Sequence, residues 1–358
     1  MPLIVCGDRV PPRWAERSNR RRVPPIGETH PGESTCITVG LINNMPDSAL
    51  EDTELQFFDL LDRASGKTAV FIRLYALSGV PRSDRSQPHL KRFYVGLEQL
   101  WERPVDALIV TGTEPQRADL REEPYWGELV DVFDWAQGNT ISIVLSCLAA
   151  HAGVLHSDGI QRHRLDDKRF GVFEARKVHD HALTAAISEP ILFPHSRWND
   201  LDAHELGECD YSVLTYSDQA GVDTFVKKKQ KSLFVHFQGH PEYVAHTLLK
   251  EYRRDIKRFL KGERDSYPST PQGYFDPQAS TRLAVFKQRA ARDRRESCIA
   301  HFPQEVVERV QSTWRASAIS VYCNWLQYII SQKGEVAAFT SMARAYEGSG
   351  QARAAMLH

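Results

Sequence analysis

No stretch of this chain approaches the 18 or more consecutive apolar residues of a membrane-crossing helix, so a membrane protein of the helical kind is not expected. Charge of one sign is lacking too. Forty-five Lys and Arg against 46 Asp and Glu leave a formal net charge of −1, and nothing global favours nucleic acid or an anionic membrane. The six cysteines (Cys6, Cys36, Cys147, Cys209, Cys298 and Cys323) include no C-x-x-C pair. Scattered this sparsely, they point to reduced thiols in a cytoplasm, not to a disulfide framework or a zinc site. The opening Met1-Pro2-Leu3-Ile4-Val5-Cys6 is too short and too soon charged for a secretory signal. There is no internal repeat and no low-complexity tract. The basic runs Arg20-Arg21-Arg22 and Lys227-Lys228-Lys229 are short, and read as a mobile arm and a solvated hairpin turn.

What is present is an ordinary globular composition, 42% hydrophobic and 25% charged over 358 residues, enough for one large or two moderate domains. Residues 1–35, rich in Pro, Arg and Gly, read as an N-terminal arm, with order beginning near Cys36. Strand-like apolar runs follow at 36–42, 69–77, 106–110 and 141–146. They alternate with helical periodicity at 50–61 and 125–136. That alternation predicts a mainly parallel α/β sheet flanked by helices. Short strands near 171–176, 211–217 and 222–226 predict an antiparallel extension, and a helix is expected at 243–260. Residues 263–305 read as a charged, partly irregular insert with an exposed helix. A last amphipathic helix is expected from about 303 to 331, followed by a tail over 333–358.

Two segments carry chemistry. The run Ile141-Ser142-Ile143-Val144-Leu145-Ser146 ends in Cys147 and the small-residue stretch Leu148-Ala149-Ala150-His151-Ala152-Gly153. This reads as a buried strand turning sharply into a helix with a thiol at the bend. Backbone N–H groups and the helix dipole stabilise a thiolate there. The amide of Leu148 and one from the Gly112-Thr113 loop could form an oxyanion hole. Taken alone, Cys147 is as readily a buried small residue. About ninety residues on, Phe234-Val235-His236-Phe237-Gln238-Gly239-His240-Pro241-Glu242-Tyr243 supplies the complement. Residues two apart on extended backbone share a side, so Glu242 can orient His240 while the other ring nitrogen faces a thiol.

Cys147 with His240-Pro241-Glu242 resembles the class I glutamine-amidotransferase-like fold, and within it the homoserine O-acyltransferases of methionine biosynthesis. Asn43-Asn44-Met45-Pro46 with Thr53-Glu54-Leu55-Gln56-Phe57 is similar to that family's N-L-M-P…T-E-T-Q-F. So are Leu108-Ile109-Val110-Thr111-Gly112 with Tyr125-Trp126, Pro194-His195-Ser196-Arg197, Gly239 to Tyr243 with Glu251 to Asp255, and Trp314-Arg315 with Asn324-Trp325-Leu326. The resemblance covers residues 36–260 and 312–332. It implies a flavodoxin-like core and acylation of L-homoserine from succinyl-CoA or acetyl-CoA, with no permanently bound cofactor or metal. It also implies a cytoplasmic homodimer.

By position, the resemblance makes Cys147 the thioester nucleophile, His240 the proton acceptor and Glu242 its orienting partner. It makes Lys168 and Ser196 substrate-binding and Arg254 the holder of the amino acid's carboxylate. Three departures stand out. The lysine that follows the family's Met-Pro is missing from Pro46-Asp47-Ser48-Ala49-Leu50. Leu148 replaces an aromatic residue. Gln116 falls where the family has glycine for succinyl or glutamate for acetyl. Gln is neutral and does not repel a succinyl carboxylate, which favours succinyl over acetyl. Serine as acceptor, a glutamine amidotransferase or related thiol hydrolase, and a non-catalytic relative remain the alternatives.

Overall fold

The computed structural model describes residues 3–5, 11–18 and 36–355, with side chains through residue 335. Arg20-Arg21-Arg22 lies outside the described residues. The strands, in chain order, are β1 (Leu3–Val5), β2 (Cys36–Ile42), β3 (Ala69–Tyr75), β4 (Ala107–Val110), β5 (Ser142–Ser146), β6 (His163–Lys177), β7 (Ile191–Asp200), β8 (Ser212–Ser217), β9 (Gly221–Lys229) and β10 (Ser232–Phe237). They form one ten-stranded sheet in the order β1-β3-β2-β4-β5-β10-β9-β8-β6-β7. From β1 to β10 neighbours run parallel, and from β10 onward they run antiparallel. β4 and β5 are buried at every position, as expected of strands covered on both faces.

Helices cover the sheet. Among them α1 (Pro12–Ser18), α2 (Leu50–Ala64), α3 (Gln87–Phe93), α4 (Leu97–Glu102), α5 (Trp126–Asn139) and α6 (Leu148–Asp158) precede the antiparallel part. After α7 (Ala203–Glu208) come α8 (Thr247–Leu260), α9 (Pro277–Arg292), α10 (Glu305–Arg309) and α11 (Arg315–Ala355). Trp325 of α11 is fully buried and its Nε1 donates to Ser142 Oγ at 2.9 Å, fixing this helix to the start of β5. Among the described residues, no helix is long and apolar enough to cross a membrane.

The mainly parallel sheet, its antiparallel extension and the C-terminal helix match the expected architecture, with local corrections. Order begins before Cys36: Leu3-Ile4-Val5 is apolar enough to add a parallel edge strand to β3, and Trp14 packs edge-on against Phe58 at 5.6 Å. The segment 191–200 adds strand β7, which the expected pattern did not include. α9 is not merely exposed, since Leu283, Phe286 and Ala290 are buried. The final helix starts at Arg315 and continues past 331, after the separate short turn of α10. Lys227 and Lys229 lie within β9, not in a solvated turn. Lys227 Nζ pairs with Asp158 Oδ1 at 2.7 Å, and Lys229 Nζ with Asp158 Oδ2 at 3.8 Å.

Candidate active site

β5 and β10 are parallel neighbours in register, Ser146 opposite Phe237, so the chain leaves both at one edge of the sheet. Ligands gather at such carboxyl ends. Cys147 follows β5 directly and is the N-cap of α6, with φ 52° and ψ −109°. An L-residue held at positive φ stores on the order of 1–3 kcal/mol and persists only where its surroundings fix it. Here they do. Cys147 N–H donates to Phe237 O at 2.7 Å, and Ala150 N–H to Cys147 O at 3.0 Å. The thiol therefore sits on a sharp strand-to-helix bend tied to the strand that leads to His240.

Beyond β10, His240 N–H donates to Pro194 O at 2.7 Å, which anchors the turn to β7. A Cβ on Gly239 would lie 2.7 Å from Asp223 Oδ1 and 3.0 Å from His195 Nε2, so only glycine fits between His240 and that buried His195–Asp223 contact. His240 Nδ1 shares a hydrogen with Glu242 Oε1 at 2.8 Å, both side chains being buried. Burial disfavours the imidazolium, yet Glu242 and Cys147 more than offset it and hold His240 well above its ordinary range. Cys147 lies close enough to the ring to favour its charged form. Thiol, imidazole and carboxylate are thus brought together in the order the sequence suggested.

Leu148 and Thr113 both line a small pocket beside the elbow. A Cβ on Gly112 would come 2.8 Å from Leu148 Cβ and 2.9 Å from Leu148 N, so this loop presses on the first turn of α6. Helix N-terminal amides have no partner within their own helix. Gln116 stands apart. Its side chain is exposed and is not part of the cavity lining, while its N–H and that of Arg117 donate to Glu123 Oε1 at 2.6 and 2.7 Å.

Lys168, Ser196 and Arg254 converge on two acids of α8. Lys168 lies where the β6–β7 register slips, between Arg164 and Arg169, and its Nζ is 3.4 Å from both Glu251 Oε2 and Asp255 Oδ2. Ser196 Oγ donates to Glu251 Oε2, and Arg254 Nε to Asp255 Oδ1 at 3.2 Å. Burial would raise the Glu251 carboxyl, but Lys168, Ser196, Tyr243 and Arg254 together hold it below its ordinary value. Glu251 is the residue at the centre of this cluster, and its role was not legible in the sequence. A carboxylate in a Lys- and Arg-rich helix reads as a solvated partner of its neighbours. Its helical placement one turn before Asp255, facing β6 and β7, was the missing signal.

Where the resemblance lacks its lysine, Asp47 instead accepts from Ser83 N at 2.8 Å and faces Arg82 Nη1 at 3.6 Å. The Arg82 guanidinium is occupied by the carbonyls of Asn43 and Met45, so it braces the segment. Among the described residues, no group of three or more His, Cys, Asp or Glu could hold a metal ion.

Fold and elbow together define an α/β protein with a mainly parallel sheet and a cysteine at a sharp strand-to-helix bend. A sequence model described as homoserine O-succinyltransferase (HTS) matches residues 28–336. A homoserine O-succinyltransferase of Rhodopseudomonas palustris is 44% identical over 83% of this chain and 89% of its own length. One of Methylorubrum extorquens is 43% identical over 82% and 87%, and one of Bradyrhizobium japonicum 40% over 92% and 99%. The chain belongs to the homoserine O-succinyltransferase family, a family of acyltransferases. Among solved structures, a glutamine amidotransferase of Thermotoga maritima aligns with TM-score 0.43 at 11% identity, covering 82% of this chain and 98% of that one. A glutamine amidotransferase of Methylobacillus flagellatus aligns with TM-score 0.44 at 13% identity, over 82% and 95%.

Proposed function

We propose that this enzyme moves a succinyl group from succinyl-CoA to the hydroxyl of L-homoserine by way of a thioester on Cys147. The observation that carries this reading is the buried His240–Glu242 pair at 2.8 Å, with Cys147 near enough to act on the ring's charge. The relatives' names supply the donor and acceptor.

Cys147 Sγ, as thiolate, attacks the thioester carbonyl carbon. The oxyanion is received by the N–H of Leu148 and one from the Thr113 loop. The intermediate collapses with cleavage of the carbon–sulfur bond to coenzyme A, and the leaving thiolate takes the proton of the His240 imidazolium. Neutral His240 then removes the homoserine hydroxyl proton as that oxygen attacks the acyl-enzyme. The bond to Cys147 breaks, and O-succinylhomoserine leaves. Glu242 orients the ring throughout and stabilises its charged form.

Arg254 suits the acceptor's carboxylate, and Ser196 and Lys168 the polar parts of the substrate. Glu251, kept anionic by its neighbours, suits the acceptor's ammonium. The family's named reaction supports a role in amino-acid biosynthesis leading to methionine, with a homodimer as the proposed assembly.

Turnover tests the reading. Purified enzyme with succinyl-CoA and homoserine should release free coenzyme A and O-succinylhomoserine faster than with acetyl-CoA or with serine. Release of coenzyme A that is independent of any amino acid would instead favour a thiol hydrolase.

A further inference from the structure

Tyr125, Arg162 and Glu123 flank the elbow, yet the acyl transfer described above gives them no part. Tyr125 opens α5 and is only 3% exposed, and it lines the cavity that Thr113, Leu120, Leu148 and Ala149 also line. Its hydroxyl is buried without a hydrogen-bond partner among the described residues. Burial, then the nearby Glu123 carboxylate, push its phenol up, so it remains a donor. An unmatched buried hydroxyl is costly, and native proteins rarely keep one without a use.

Arg162 stands between α6 and β6 and is half-buried. Among the described residues its guanidinium makes one hydrogen bond, from Nη2 to Ala118 O at 3.4 Å, on the loop that carries Gln116. Tyr125, Cys147 and Glu123 all lie within its electrostatic reach. Glu123 is the acid nearest this pair, but its Oε1 is already committed to the Gln116 and Arg117 amides. Asp119, another acid of the loop, is paired with Arg121 at 2.7 Å, though it too lies within electrostatic reach of Arg162. The result is a buried phenol lining a mostly apolar pocket beside the elbow. The guanidinium, with its hydrogen bond to the loop carrying Gln116, lies within electrostatic reach of that phenol and of Cys147.

We propose that Tyr125 and Arg162 form the subsite for the distal carboxylate of the acyl group, making them the residues that select a dicarboxylic donor. The inference rests on the acyl-transfer reading and deepens it. The two methylenes of a succinyl group lie along Leu148 and Leu120, and its carboxylate accepts from the Tyr125 hydroxyl and the Arg162 guanidinium. The Tyr125 hydroxyl then gains the acceptor it lacks among the described residues, and Arg162 gains one in addition to Ala118 O. Glu123 pins the loop that closes over this subsite. Gln116, exposed at the loop's tip, is a neighbour of the device and not its reader.

Butyryl-CoA tests this directly, since it matches succinyl-CoA in chain length but carries no carboxylate. The measurement is kcat/KM for both donors with homoserine as acceptor, in the wild type and in Arg162→Gln, Arg162→Lys and Tyr125→Phe. The ratio within each variant does not depend on how much of it is active. Arg162→Gln should lower the succinyl-to-butyryl ratio about 30-fold, the scale of a hydrogen bond to a charged group, and Tyr125→Phe about 5-fold. Arg162→Lys should fall between Arg162→Gln and the wild type. Ratios that stay within 2-fold of the wild type while both donors slow equally would overturn the subsite. A wild type that prefers acetyl-CoA or butyryl-CoA to succinyl-CoA would also overturn it, leaving acyl transfer intact. A wild type that reacts with no acyl-CoA would overturn both readings.

Discussion

Tyr243 lies flat against His240, ring centroids 4.2 Å apart and planes 15° apart, and its hydroxyl donates to Glu251 Oε1 at 2.6 Å. One side chain thus joins the imidazole beside Cys147 to the Glu251 carboxylate, around which Lys168, Ser196 and Arg254 gather. Tyr243→Phe keeps the stacked ring but removes the tie. It should raise KM for homoserine about 10-fold, as expected for loss of a hydrogen bond to a charged group, with kcat within about 3-fold. Tyr243→Ala should lower kcat as well, because the ring no longer holds His240. Steady-state kinetics with homoserine varied separates the two.

His240 should titrate above an ordinary histidine, and its position should depend on both partners. Burial works against the charge; Glu242 and then Cys147 outweigh it. Glu242→Gln and Cys147→Ala should each move the His240 titration down, Glu242→Gln by more, as read by NMR of the ring. The same shift has a stability sign. A histidine raised in the folded state stabilises fully below its unfolded value near 6.5, and that contribution is lost as pH rises through the folded value. Glu242→Gln should therefore cost more stability at pH 6 than at a pH above the wild-type His240 titration, measured by denaturant unfolding at each pH.

Gly112→Ala should separate catalysis from folding. The added methyl would stand 2.8 Å from Leu148 Cβ and must push the loop off the elbow. We expect kcat to fall on the order of 100-fold, the usual scale for losing one oxyanion donor. The thermal midpoint should move little, because the loop edge can shift. An unchanged kcat would remove this loop from the oxyanion site.

Trp325→Ala tests how far the C-terminal helix is part of the core. Trp325 is buried to 1% exposure, and Ser142 Oγ, which accepts from its indole, itself donates to Leu233 O at 2.7 Å. Truncating a large buried aromatic costs about 3–5 kcal/mol. Urea unfolding should show a loss of that size, and Trp325→Phe a smaller one.

The elbow and the His240–Glu242 pair were legible because each lies within a few residues of an apolar run whose strand character is unmistakable. The elements that escaped did so for local reasons. β7 carries Pro194, Arg197 and Asp200, which break the alternation of a strand. Arg197 is nonetheless buried, because its guanidinium is matched by Asn199 O, Ala220 O and Asp200. β1 is three residues long and has meaning only beside β3. Glu251, Tyr125 and Arg162 come from three separate elements, and only the fold brings Glu251 to Ser196 or Arg162 to the loop before Tyr125. Lys168 stands in a charged stretch of sequence yet is only 11% exposed, since two acids from α8 reach it.

The central claim is that Cys147 carries the acyl group. Intact-protein mass spectrometry after mixing with succinyl-CoA, without homoserine, tests it most directly. The account predicts one succinyl group per chain, absent in Cys147→Ala and discharged when homoserine is added. An unmodified wild-type mass at early times, with product still formed once homoserine is present, would contradict it.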